Sequence, residues 1–149
     1  MEWRIESDAP IYSQLARQIR IGIVSGEYEP GAKLPSVRDL ALAAGVNPNT
    51  MQRAMTQLER EGLVFPQRTA GRFVTDDAQL IAQARQTLAR EQAEAFLTAM
   101  NSLGYRHEEI LSLVTAMVEE DGHGSTGMQR PFKALWQRGR TRRCGPESG

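Results

Sequence analysis

The stretch from Ser36 to Gly62 constrains this chain more than any other, because it sets two short amphipathic segments on either side of a very tight turn. Ser36 and Asp39 stand at the spacing of a capping box, in which a hydroxyl at a helix start and a carboxylate three residues on satisfy free backbone N–H groups. Val37, Leu40 and Ala41 form the buried stripe of the helix so begun. Gly45 permits a positive backbone angle, and Asn47-Pro48 then supplies an N-cap and a favoured first-turn residue. The apolar positions of the second segment, Met51, Ala54, Met55 and Leu58, share one face, and Gly62 sits where a terminating glycine belongs. Two helices joined by such a turn predict a helix-turn-helix.

The flanking patterns extend this unit. From Pro10 to Val24, Ile11, Leu15, Ile19 and Ile23 recur with helical period beside Tyr12, Ala16 and Val24, with Pro10 in the first turn and Gly26 closing the helix. Residues 27–33 centre on Pro30-Gly31 and read as a turn. After Gly62, Leu63-Val64-Phe65 and Arg72-Phe73-Val74 are strand-like runs separated by Pro66 to Gly71, which predicts a hairpin wing. A long helix follows from Asp77, with Leu80, Ile81, Ala84, Leu88, Phe96, Met100 and Leu103 on one side before Gly104. Ile110, Leu111, Val114, Met117 and Val118 mark a shorter one.

The expected architecture is mostly α with a small β-hairpin wing. Residues 1–75 form a winged helix-turn-helix, 76–120 a two-helix dimerisation region and 121–149 a disordered basic tail. The last two helices carry more apolar surface than they can bury on each other, and a two-fold interface with a second copy is the commonest solution. Leu80, Ile81, Ala84, Leu88, Phe96, Met100, Leu103, Ile110, Leu111 and Val114 are the candidate dimerisation residues.

Composition narrows the function classes. With 24% charged and 40% apolar residues, and no apolar run near the about 18 needed for a membrane span, the chain reads as soluble and globular. Met1-Glu2-Trp3-Arg4 lacks the apolar core of a secretory leader, and a lone Cys144 suits a reducing compartment, so a cytoplasmic location is expected. The formal net charge is zero, but it is unevenly spread: nine Lys/Arg against eight Asp/Glu in residues 1–75, three against eight in 76–120, and six against two in 121–149. Overall charge therefore lends DNA binding no support, and the motif carries that argument.

In a helix-turn-helix the N-terminal residues of the second helix face base edges in the major groove. Here these are Asn47, Asn49, Thr50, Gln52 and Arg53. Asn and Gln bond an adenine edge bidentately, Arg does so to guanine, and a Thr methyl meets that of thymine. Ser36 and Arg38 are placed for phosphate or a groove edge, and Arg68 and Arg72 flank the wing tip. Each residue also has a purely structural role open to it: Asn47 and Thr50 as caps, Arg53 paired with Glu59 or Asp39, Arg68 as a solvated charge.

Taken together, Leu34-Pro35-Ser36-Val37-Arg38-Asp39-Leu40-Ala41, Gly45-Val46-Asn47-Pro48-Asn49-Thr50, Leu58-Glu59, Glu61-Gly62-Leu63 and Gly71-Arg72-Phe73-Val74 resemble the GntR family of winged-helix regulators. Pro10-Ile11-Tyr12-Ser13-Gln14-Leu15 and the Val-Asn-Pro-Asn-Thr segment resemble its YtrA subfamily, which adds two short helices for dimerisation. The resemblance spans about Ile11 to Val118. It implies a homodimeric transcription factor, usually a repressor, on a palindromic double-stranded DNA operator. By position it assigns recognition to Arg38, Asn49, Thr50, Gln52 and Arg53, and wing contacts to Arg68 and Thr69.

Catalysis finds little footing. His107 and His123 stand apart from Cys144, no phosphate-binding loop or zinc spacing occurs, and Glu108-Glu109 and Glu119-Glu120 are neighbours that point apart on a helix. No enzyme activity, metal or cofactor is expected. The rival reading is a winged helix that binds protein instead of DNA, against which the donor-rich second helix argues. A small-molecule effector stays unassigned, since two helices leave little room for a pocket of roughly 300 Å³.

Overall fold

The computed structural model describes residues 3–6 and 8–122. In order it contains α1 (Ile11–Val24), α2 (Val37–Ala44), α3 (Pro48–Arg60), β1 (Val64–Gln67), β2 (Gly71–Val74), α4 (Ala78–Ser102) and α5 (His107–Gly122). The expected tail lies outside the described residues beyond Gly122, as do His123 and Cys144.

The capping chemistry works as the residue types dictate. Ser36 accepts the Asp39 N–H at 3.1 Å, and Asn47 accepts that of Asn49 at 2.8 Å with Pro48 in the first turn. Between them Gly45 is left-handed at φ 69°. Gly62, at φ 77°, ends α3 by letting the Leu63 N–H return to the Leu58 carbonyl at 3.2 Å. Pro10 is the N-cap of α1, one position before the first turn expected for it.

β1 and β2 pair antiparallel with Phe65 opposite Phe73 and Gln67 opposite Gly71. The hairpin is therefore longer than its apolar runs suggested, since Pro66 and Gln67 belong to β1. Proline is tolerated there because β1 is an edge. The other side of β2 is covered by residues 31–34, a segment that reads as a turn. The Gly31 N–H bonds to the Val74 carbonyl, the Val74 N–H to that of Ala32 and the Leu34 N–H to that of Arg72, at 2.9 to 3.0 Å.

The chain divides into two compact units, the first running to Arg85 and the second beginning at Gln86. In the first, α3 packs on α1 and α2 and meets β1. Its core joins Leu15, Ile19 and Ile23 of α1, Leu40 of α2, Met51, Met55 and Leu58 of α3, and Leu63, Val64 and Val74 of the wing. Leu80, Ile81 and Ala84, on the first turns of α4, pack half-buried against this core, so the unit extends past residue 75. In the second unit Leu88, Met100 and Ile110 are buried, whereas Phe96, Leu103 and Leu111 are 41%, 71% and 69% exposed. At the start of α5, Glu109 reaches back and accepts the Arg106 N–H at 3.3 Å. Among the described residues no helix is long and apolar enough to cross a membrane.

Candidate nucleic-acid interface

The helical repeat of α3 separates two sets of side chains. Met51, Ala54, Met55 and Leu58 are fully buried, and Asn49, Gln52 and Arg53 stand exposed on the opposite side with Thr50 half-buried at the margin. The inner set holds the helix against α1 and α2, so the outer set is displayed from a rigid element.

The expected residues differ in how much of their bonding capacity is already used. Ser36 and Asn47 are exposed, and each spends one side-chain oxygen on a cap. Arg38, on the first turn of α2, and Arg68 and Thr69, in the three-residue loop of the wing, are exposed. Among the described residues no hydrogen bond or ion pair occupies Arg38 or Arg68. Arg72 is different: its Nε lies 2.6 Å from Glu59 Oε1, with both side chains about three-quarters buried, and the pair ties β2 to α3. Glu59 is one of the two carboxylates that the sequence offered as partners for Arg53. Arg53 instead lies over the ring of Tyr12, with the guanidinium carbon 4.0 Å from the ring centroid.

The pairings also show how a nearly neutral unit can present positive charge. Arg20 meets Glu61 through two bonds of 2.9 and 2.6 Å, and Arg72 meets Glu59, so two of the cations and two of the acids neutralise each other on the body of the unit. Lys33, Arg38, Arg53 and Arg68 stay exposed on or beside the helix-turn-helix and the wing. Lys33 was missed by sequence reasoning, which saw only a turn. Its isolated bridge to Phe73 puts it beside β2, and its stem passes close enough to Gly71 that a Cβ there would lie 3.3 Å from Lys33 Cε. The sequence signal was faint: a single cation just before the Leu34-Pro35 of the capped helix.

Comparison with known proteins gives a consistent family of likenesses. The family model described as bacterial regulatory proteins, gntR family, matches residues 11–74. The HTH-type transcriptional regulator YhcF of Bacillus subtilis is 40% identical over 119 residues, covering 80% of this chain and 98% of that protein. The HTH-type transcriptional repressor YtrA of the same organism is 33% identical over 105 residues, covering 70% of this chain and 81% of its own. Among solved structures, a GntR family transcriptional regulator from Listeria monocytogenes is similar with a TM-score of 0.68 and 38% identity, over 75% of this chain and 98% of that one.

Proposed function

Because this chain belongs to the gntR family of bacterial regulatory proteins and is a DNA-binding transcription regulator, we propose that it acts as a homodimeric repressor on a palindromic operator. The observation that carries the sequence-reading part of this proposal is the outer face of α3. Asn49, Gln52 and Arg53 are exposed on a helix whose inner face is fully buried, which is the arrangement a major-groove reader needs. Thr50 borders this face. Ser36, Arg38, Lys33, Arg68 and Thr69 are the candidates for phosphate and groove-edge contacts. Asn47 and Arg72 contribute by capping α3 and by anchoring the wing to it.

The dimer rests on the second unit, whose helices leave Phe96, Leu103, Leu111, Met117 and Val118 exposed. A second copy covering these residues would set two recognition helices about one DNA turn apart, roughly 34 Å. Repression then follows from occupying a promoter. The name of YtrA as a repressor supports this sign of regulation.

The test is a selection from random duplex DNA with the purified protein at a stated salt concentration, followed by sequencing of the retained pool. A two-fold symmetric motif is expected. A pool without enrichment would leave a protein-binding winged helix as the better reading.

A further inference from the structure

Tyr12 lies in the first turn of α1, outside every segment that the helix-turn-helix motif assigns to DNA. It packs half-buried on the core of the first unit, which fixes its ring. Arg53 of α3 is exposed, and its guanidinium carbon rests 4.0 Å from the centroid of that ring. Among the described residues no carboxylate or hydrogen-bond acceptor takes the Arg53 N–H groups, and Glu59 is held by Arg72.

A planar guanidinium stacked on an aromatic face is attracted through its face and keeps its five N–H donors free in its own plane. A carboxylate partner would hold the same side chain still, but would consume those donors and cancel the charge. The ring does neither. It also removes in advance part of the side-chain freedom that a long arginine would lose on binding.

We propose that Tyr12 is a positioning residue for DNA recognition, holding the Arg53 guanidinium ready for a base edge or phosphate while leaving its charge and donors available. The inference rests on the reading of α3 as the DNA-reading helix. It makes the start of α1 part of the recognition apparatus without requiring Tyr12 to touch DNA.

The experiment measures affinity for the selected operator at fixed salt for Tyr12→Leu and Tyr12→Phe, each in the parent and in an Arg53→Ala background, with thermal melts to verify folding. Tyr12→Leu keeps apolar bulk without the aromatic face and is expected to weaken binding about two- to fivefold, the range of an exposed cation–π contact. It should flatten base preference at the same operator position as Arg53→Ala. Tyr12→Phe should match the parent, and Tyr12→Leu should cost nothing further once Arg53 is alanine. An equal loss in both backgrounds, no loss in the parent, or a Tyr12→Phe variant as weak as Tyr12→Leu would each overturn the proposal. Failure of the parent itself to select any motif would overturn the premise along with it, and is distinguishable because it needs no variant.

Discussion

Gly22 and Tyr28 meet so closely that a Cβ on Gly22 would lie 2.8 Å from two atoms of the Tyr28 ring. The ring is 6% exposed and the Tyr28 N–H is bonded to the Gly22 carbonyl at 3.0 Å, so neither partner can retreat cheaply. Gly22→Ala is therefore expected to lower stability by about 1–3 kcal/mol despite the better helix propensity of alanine, as read from urea denaturation. Next to this contact, both carboxylate oxygens of Glu27 are buried with no hydrogen-bond partner among the described residues, and loss of solvation raises its pKa above the ordinary glutamate value. An acid whose pKa is higher folded than unfolded favours the fold while protonated, and that contribution is lost as pH rises through the folded value. Glu27→Gln should accordingly be more stable than the parent at pH 7, with the advantage vanishing as pH falls below the ordinary glutamate range. Melting both proteins across that range checks the sign, and a gap that widened on acidification would contradict it.

α3 is the element on which stability and the proposed reading of DNA converge. Its N-terminus depends on the Asn47 cap, so Asn47→Ala should cost about 1 kcal/mol of stability and weaken DNA binding by fraying the first turn. Gln52 and Arg53 are outside the core; substituting Gln52 should leave the melt unchanged, and substituting Arg53 should lower stability only by the about 0.5–1 kcal/mol of its contact with the Tyr12 ring. Either change should relax base preference, at ~1–3 kcal/mol for a lost bidentate contact. Arg68→Ala, at the wing tip, should instead weaken all sequences alike and reduce the salt dependence, which titrations at several salt concentrations would show. Most of this element logic was legible in the sequence because it is local: Ser36, Gly45, Asn47-Pro48 and Gly62 act within a turn or two of themselves. What was not legible is non-local. Arg72 finds Glu59 thirteen residues away, Arg53 finds Tyr12 across two helices, and Lys33 joins β2 through backbone bonds that no side-chain pattern announces. The wing's true length was obscured for a related reason, since Pro66 argues against a strand except at an edge, and edges are decided by what else pairs.

At the scale of the molecule the two units divide the apolar surface between them unequally. The first buries Leu15, Ile19, Leu40, Met51, Met55 and Leu58 completely and needs no partner to close its core. It also takes Leu80, Ile81 and Ala84 from α4, which pack partly buried against this core. The second unit buries little beyond Leu88, Met100 and Ile110, and leaves Phe96, Leu103 and Leu111 largely open. Burial of such side chains is worth about 1.5–3 kcal/mol each, so water is an unfavourable neighbour for three of them together. A charge on this surface should cost the monomer little and the dimer much. Leu111→Glu and Phe96→Glu are thus expected to sediment as monomers with melting of the first unit unchanged. Because the proposed pairing would turn the second half-site into a tethered event, such variants should lose on the order of 10²-fold in operator affinity while keeping the parent's affinity for an isolated half-site. If both variants still sedimented as dimers with intact operator binding, the pairing surface would have to lie elsewhere than on α4 and α5.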